Sequence, residues 1–154
     1  KLVVVCAGFF VGAALIFAAV LFDDKIRDEE EVHAVSELPV LGTVKLAGGK
    51  AEGPPEAVFQ EYLTARKVEK GLLLSVGNAK LSTEMRTCLD NLTGHRICGA
   101  QDLYTPGFSL DKIKEYDGVF LVMCLNRNTM KELRKAQEML ALLQINALAL
   151  LLIR

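Results

Sequence analysis

The residues with the clearest chemical potential follow a short apolar run and lie between Gly77 and Thr83. Gly77, Lys80, Ser82 and Thr83 are the residue types that wrap, neutralise and hydrogen-bond a phosphate group. The phosphate-loop pattern G-x-x-x-x-G-K-[ST] requires a glycine directly before the lysine and a hydroxyl residue directly after it. An alanine and a leucine stand at these positions, and the loop is too short. The four residues are therefore only weak candidates for binding a nucleotide.

Cysteine and histidine spacing does not favour a metal site. The four cysteines are scattered singly along the chain: Cys6, Cys88, Cys98 and Cys124. They form no C-x-x-C pair and no Cys/His spacing of the zinc type. His33 and His95 are far apart in the sequence, and structural roles are the more common use of isolated residues of this kind. We therefore predict no metal site, no cofactor and no catalytic residue.

The charge of the chain argues against nucleic acid as a partner. The 154 residues include 18 lysines and arginines and 19 aspartates and glutamates, for a formal net charge of −1. Proteins that bind nucleic acid usually carry a basic face, because the phosphate backbone supplies most of the affinity. No such excess of basic residues occurs here.

The elements that must position the candidate residues alternate between two periodicities. Short uninterrupted apolar runs are typical of buried parallel strands, and amphipathic stretches of ten or more residues are typical of helices. The strands are predicted at 71–76, 95–100, 118–124 and 147–153, with a short extended piece at 40–44, and the helices at 54–67, 81–92 and 129–143. This alternation predicts an α/β fold with a small, mostly parallel sheet and flanking helices.

The first residues predict a transmembrane helix. The stretch from Leu2 to Phe22 has no charged residue, and a helix of this length spans about 31 Å, which matches the hydrocarbon core of a bilayer. Lys25 and Arg27 follow it, which favours a cytoplasmic C-terminal side. Gly8 and Gly12 form a GxxxG pattern that predicts close packing with another helix. Because the chain begins without methionine, we expect it to be a fragment of a longer protein.

Composition divides the chain into three parts. Residues 1–22 are the predicted transmembrane helix. Residues 23–53 are predicted to be a juxtamembrane segment and linker, since they combine a charged run, interpreted as a solvated surface, with a Gly/Pro-rich stretch. Residues 54–154 are predicted to form the folded domain. We expect the region after Gly53 to be soluble by itself.

Two stretches of the chain resemble a known family. The apolar segment, Asp23, Ile26, the Glu-rich run and the L-P-V-L-G sequence from Leu38 to Gly42 resemble the last membrane helix and cytoplasmic tail of bacterial polysaccharide co-polymerases. These are the Wzz-type chain-length determinants of capsule, exopolysaccharide and O-antigen synthesis. The region from Glu56 to the end, above all Lys114 to Ile153, is similar to a shortened, degenerate copy of the P-loop tyrosine kinase domain with which many of them work.

The resemblance implies a membrane protein of a bacterium with a cytoplasmic kinase-like domain. It also implies a homo-oligomer and, as partners, a cytoplasmic tyrosine kinase or a polysaccharide polymerase. Because the sequence departs from the motifs of the family, we expect no catalysis. The phosphate loop is incomplete, and no tyrosine cluster follows the last strand. The assembly helix of the family keeps its glutamate as Glu56 but has Phe59 and Tyr62 at its arginine positions.

Three interpretations follow for the function. The leading one is a non-catalytic membrane protein of capsular or exopolysaccharide biosynthesis or chain-length regulation, which acts through its helix and a cytoplasmic pseudokinase domain. The alternative is a membrane-anchored nucleotide-binding enzyme or sensor with an atypical phosphate loop at Gly77–Thr83, since a helix N-terminus attracts anions. The third is a membrane-anchored α/β domain unrelated to polysaccharide. Magnesium-dependent binding of ATP separates the second interpretation from the others.

Overall fold

The computed structural model describes the backbone of residues 2–21, 23–47, 50–52, 56–77, 82–104 and 110–154. Side chains are described over the same ranges, apart from residues 2–7, 20, 21, 46, 47, 50–52, 84, 88 and 110. Within these ranges helices and strands alternate along the chain. The helices are α1 (Leu2–Leu21), α2 (Glu29–His33), α3 (Glu56–Ala65), α4 (Thr83–Leu92), α5 (Leu110–Ile113) and α6 (Met130–Leu142). The strands are β1 (Val40–Ala47), β2 (Lys50–Glu52), β3 (Gly71–Ser75), β4 (Ile97–Asp102), β5 (Gly118–Cys124) and β6 (Ala147–Ile153).

The strands form one sheet in the order β2-β1-β6-β5-β3-β4. Five of them run parallel, and β2 adds to the edge by antiparallel pairing with β1. Chain order and sheet order differ, because the chain goes from β3 to its neighbour β4 and then returns to β5 on the other side of β3. The predicted fold class, a small parallel sheet with flanking helices, is confirmed.

Both faces of the sheet are covered by helices. Alternate residues of β3, such as Leu72 and Leu74, pack in one apolar cluster with α2, α5 and α6, while Leu73 packs in a second cluster with α3 and α4. Every residue of β5 is buried. Since a strand covered on both faces has no polar side, its sequence becomes an uninterrupted apolar run. This is why β5 and β6 begin and end at the residues that the sequence predicted.

Helix α3 packs against the sheet through its apolar side chains. Phe59 and Leu63 are buried in the cluster on that side of the sheet. The hydroxyl of Tyr62 donates a hydrogen bond to the carbonyl of Leu148 in β6, at 2.8 Å. Phe59 and Tyr62 stand where the resembling family has arginines, and here they hold α3 against the sheet.

Two strands of the sheet lie within the segment predicted to be juxtamembrane segment and linker. Strand β1, which we assigned to the juxtamembrane segment and linker, pairs in parallel with β6 from Val40 to Val44. Part of the Gly/Pro-rich stretch forms β2, whereas residues 48, 49 and 53–55 lie outside the described residues. The intrinsic preference of a short segment for the strand conformation is weak, and a strand is stabilised mainly by its neighbours in the sheet. The composition of residues 40–52 therefore did not reveal the pairing. The α/β unit therefore begins before β1.

Helix α1 contains 20 residues of the segment predicted to span the membrane. Its described side chains are those of residues 8–19. Most of these side chains are exposed, including the large apolar ones of Phe9, Phe10 and Phe17. Over the described residues, the structure contains no helix with the length and apolarity needed to cross a membrane.

The pairing of β1 with β6 makes a prediction about stability. Val44 is 1% exposed, and its carbonyl accepts a hydrogen bond from the amide of Arg154 at 2.9 Å. We expect Val44→Ala to lower the free energy of unfolding by about 2 kcal/mol, because two buried methyl groups are lost. The neighbouring side chain of Lys45 is exposed, and Lys45→Ala should change stability by less than about 0.5 kcal/mol. Urea denaturation of the full chain in detergent, followed by circular dichroism, measures both. Equal effects would show that β1 is not part of the folded unit.

Candidate functional site at the carboxyl edge of the sheet

The order of the strands singles out one place for a functional site. In open α/β sheets, ligands bind outside the carboxyl ends of the strands where the chain changes direction across the sheet. That place lies between β3 and β5, because α4 leaves β3 on one face and α6 leaves β5 on the other. The residues that follow the two strands, Val76 and Gly77 on one side and Leu125 to Asn128 on the other, line this crevice.

The side chain of Asn128 bridges the crevice. It is 1% exposed. Its Oδ1 accepts a hydrogen bond from the amide of Cys124 at 2.7 Å, and its Nδ2 donates to the carbonyl of Val76 at 2.7 Å. The carboxyl ends of β3 and β5 are thus joined by one buried amide whose polar atoms are satisfied by protein groups.

Gly77 lies in close contact with the first turn of α6. Its φ is +71°, a conformation that favours glycine. A β-carbon at this position would lie 2.6 Å from Asn128 Nδ2 and 2.6 Å from Glu132 Oε1. The turn therefore accommodates no other residue without displacing Asn128 and Glu132. Gly77 therefore allows the side chains of Asn128 and Glu132 to pack against the turn, in the space that a bound ligand would need.

Glu132 places a carboxylate where a phosphate would have to approach. Its Oε2 accepts hydrogen bonds from the amide of Thr129 at 2.9 Å and from Asn128 Nδ2 at 3.2 Å. The hydroxyl of Thr129 accepts in turn from the amide of Glu132, which completes a capping box at the start of α6. The attraction of this helix N-terminus for an anion is thus satisfied internally. A phosphate at Gly77 would meet a like charge.

The structure describes three of the four predicted phosphate-loop residues. Gly77 lies in the turn after β3, and Lys80 lies outside the described residues. Ser82 is the N-cap of α4, and its hydroxyl accepts a hydrogen bond from the amide of Met85 at 3.2 Å. Thr83 is the first residue of α4 and is exposed. Two of the four candidates, Gly77 and Ser82, therefore have local structural contacts.

Ser75 and Asp102 form a polar pair that the sequence did not predict. Ser75 ends β3 and is 1% exposed, and Asp102 ends the neighbouring strand β4. The hydroxyl of Ser75 donates a hydrogen bond to Asp102 Oδ1. The register of parallel strands aligns the two residues, and register cannot be obtained from the sequence of either strand alone. The pair satisfies a buried hydroxyl next to the crevice.

Two titratable groups near this edge, the Cys124 thiol and the Tyr104 hydroxyl, have raised pKa values. Burial raises the pKa of the Cys124 thiol, although the positive charge of Arg127 partly opposes the shift. Burial, and then the charge of Glu132, raise the pKa of the Tyr104 hydroxyl. The ring of Tyr104 lies 5.4 Å from the Nζ of Lys135. A protonated thiol and a protonated phenol are weak nucleophiles. Among the described residues, no group of three His, Cys, Asp or Glu side chains could hold a metal ion.

A segment just after α1 lies across the loop that follows β5. We call residues Asp24, Lys25 and Ile26 the clasp. The amide of Ile26 donates to the carbonyl of Asn128 at 2.9 Å, and its carbonyl accepts from the amide of Asn126 at 2.7 Å. Lys25 forms an antiparallel bridge with Thr129. The carbonyl of Asp24 accepts from the amide of Met130 at 3.0 Å.

The clasp corrects the interpretation of the charged run as a wholly solvated surface. The side chain of Ile26 is 0% exposed and belongs to the apolar cluster on the α6 side of the sheet. One ion pair lies next to the clasp. The guanidinium of Arg27 donates a hydrogen bond to the carboxylate of Asp23 at 3.1 Å, and this bond lowers the pKa of the Asp23 carboxyl. The signal available in the sequence was one isoleucine among charged residues. That signal is too weak to show which surface the isoleucine contacts.

Comparison of the chain with protein families, with curated proteins and with solved structures found no match. Function must therefore be inferred from the carboxyl edge and from the resemblance of the sequence segments. The edge is closed by Asn128 and Glu132, and the clasp lies across it. This arrangement is suited to holding elements together rather than to admitting a phosphorylated ligand.

The carboxylate at the crevice leads to a prediction about nucleotide binding. We expect the chain to bind ATP and magnesium no more tightly than about millimolar, or roughly −4 kcal/mol, because Glu132 occupies the approach to Gly77. Isothermal titration calorimetry measures this affinity. Micromolar binding that is lost in Lys80→Ala, but kept in Lys67→Ala after α3, would instead support the nucleotide-binding alternative.

Proposed function

We propose that the chain is a non-catalytic membrane protein of bacterial capsular or exopolysaccharide biosynthesis or chain-length regulation. It acts by contact: α1 anchors it in the cell membrane, and its α/β domain presents a surface to partners on the cytoplasmic side. The observation that carries the proposal is the closed carboxyl edge, where Asn128 and Glu132 fill the usual ligand crevice. A domain closed in this way is suited to binding a protein partner rather than to transferring phosphate.

The apolar helix supports the membrane part of the proposal. Among its described residues, Phe9, Phe10 and Phe17 expose 68–74% of their surface, and Leu15 and Ile16 expose 66% and 69%. Exposing this much apolar area to water is costly, at about 25 cal/mol per Å², whereas a bilayer would solvate it. The short charged segment after α1 is consistent with the helix leaving the membrane there. We infer that α1 is surrounded by lipid or by other helices.

The polysaccharide part of the proposal is supported by the resemblance to the co-polymerases. The L-P-V-L-G stretch that contributes to this resemblance forms the start of β1 and pairs with the last strand of the domain. The tail and the kinase-like part therefore fold as one unit. A cytoplasmic tyrosine kinase and a polysaccharide polymerase are the partners that such a unit would contact.

The decisive test of the function is genetic. Deleting the gene in the bacterium that encodes it should shift the length distribution of the surface polysaccharide, measured by gel electrophoresis. Wild-type protein and Lys80→Ala should both restore the distribution, because no phosphate chemistry is required, whereas a chain lacking α1 should not. An unchanged polymer after deletion would contradict the role in polysaccharide synthesis. Failure of Lys80→Ala to restore it, at equal protein level, would favour the nucleotide-binding alternative.

A second prediction concerns the anchor. The full chain should float with phospholipid vesicles in a density gradient, while a chain that begins at Asp23 should stay in the aqueous fraction as a folded monomer. Contrary to the solubility expected from the sequence, a chain that begins at residue 54 should aggregate, because removing β1 exposes the edge of β6. Flotation of the chain that begins at Asp23 would show that membrane binding does not depend on α1.

A third prediction concerns self-association through α1. Among the described residues, and apart from the adjoining residues and nearby backbone of α1 itself, no atom lies within 4 Å of a β-carbon built at Gly8 or Gly12. A larger side chain therefore fits within one chain, and any effect must arise from a neighbouring helix. If a second copy packs there, Gly8→Ile and Gly12→Ile should reduce oligomer content in a bilayer reporter assay, because they hold the two backbones apart. Val11→Ile should change little, and equal signals for all variants would contradict packing at the glycines.

A further inference from the structure

Among the described residues, the clasp is the first segment after α1 that bonds to the β5–α6 loop. Asp24, which begins the clasp, follows Leu21, the last residue of α1, by three positions. Three residues extend over about 10 Å at most. Little slack is therefore available between the end of α1 and the carboxyl edge. A displacement of α1 relative to the α/β unit would therefore act on the clasp.

The clasp is bound by both backbone and side chain. Its hydrogen bonds to the β5–α6 loop run between backbone atoms at 2.7–3.0 Å. Ile26 adds a fully buried side chain. The turn that follows the clasp is held as well, because the amide of Arg27 donates to the carboxylate of Glu31 at 2.7 Å. These contacts fix the clasp as an ordered part of the domain rather than a free tether.

Asn128 connects the clasp to the crevice. Its backbone carbonyl accepts from Ile26, while its side chain holds the amide of Cys124 and the carbonyl of Val76. The same residue thus belongs to the clasp contact and to the bridge between β3 and β5. Moving Ile26 away removes a hydrogen bond and apolar packing from the loop that positions this bridge.

We propose that the clasp is a mechanical link that passes displacements of α1 to the carboxyl edge of the sheet. With the clasp docked, Asn128 holds the ends of β3 and β5 together; with the clasp withdrawn, this bridge loosens and the surface offered to a partner changes. The inference rests on the proposed function, in which α1 is the anchor and the domain acts by contact. It adds a means by which packing of α1 in the membrane regulates that contact.

Hydrogen exchange of the full chain in lipid nanodiscs, measured by mass spectrometry, tests the link. The informative amide is that of Cys124, which is bonded to the Asn128 side chain and makes no bond to the clasp. In Ile26→Ala we expect exchange at Cys124 and Asn126 to be at least about tenfold faster, while the amide of Phe120 in the middle of β5 keeps its rate. Val32→Ala is the matched control, since Val32 is equally buried in the same cluster but lies outside the clasp. Unchanged exchange at Cys124, or equal acceleration in both variants, would overturn the proposal.

A measurement on the wild-type chain covers the case in which Ile26→Ala fails to fold. The clasp contains a trypsin site at Lys25, and Arg27 follows it. Cleavage after Lys25 in the nanodisc-bound chain should be at least about tenfold slower than in a free peptide of the same sequence, because a docked segment must open before it is cut. Equal rates would overturn the proposal. Flotation of the full chain with phospholipid vesicles, measured separately, distinguishes failure of this proposal from failure of the proposed function: a chain that resists trypsin in detergent but does not float retains the clasp and lacks the anchor.

Discussion

The carboxyl edge of this protein depends on the buried side-chain amide of Asn128. Two strands that are not consecutive in the chain end side by side, and the last backbone groups of each would face the crevice without partners. Asn128 accepts from the amide that ends β5 and donates to the carbonyl that follows β3. An unsatisfied buried amide or carbonyl costs about 1–3 kcal/mol, so this one side chain determines whether the crevice can be closed without water.

Closure of the crevice determines the chemistry of the edge. Because Gly77 has no side chain, the first turn of α6 can lie close to the turn after β3. The side chain of Glu132 occupies the space next to Gly77 and also caps α6. A carboxylate held in this way repels the group that a phosphate loop normally binds. The thiol of Cys124 and the phenol of Tyr104 lie nearby with raised pKa values. The edge therefore resembles the interior of a protein more than an active site.

The clasp gives the closed edge its place in the whole chain. An apolar helix that is connected through a long flexible linker moves independently of its domain. Here Ile26 is buried within a few residues of the end of α1, so the helix and the domain are joined over a short distance. This arrangement is consistent with the proposal that the protein acts by holding its domain at a fixed position relative to α1. The same chain segment that was expected to be solvated is the one that couples the two parts.

Much of the fold was predictable because its signals are local. The apolar runs of β3, β5 and β6 identified buried parallel strands, and the amphipathic stretch at 129–143 identified α6. The incomplete phosphate-loop pattern was also visible in the sequence, since it depends only on which residues are adjacent. The change in composition near residue 53, however, was taken as the start of the folded domain. Composition carries no information on strand pairing, so the pairing of β1 with the last strand was not predicted.

The sequence by itself determined five of the six described strands, most of the helices, the α/β class and the lack of a standard phosphate loop, because each depends on residues close together in the chain. Only the tertiary structure decided that Glu132 closes the crevice, that Ser75 meets Asp102, and that Ile26 is a core residue. These contacts join residues from different elements, and their formation depends on strand order and register. A single isoleucine in a charged run carries no information about its partner. Its partners, the β5–α6 loop and the apolar cluster on the α6 side of the sheet, are brought together only by the packing of β5 and α6.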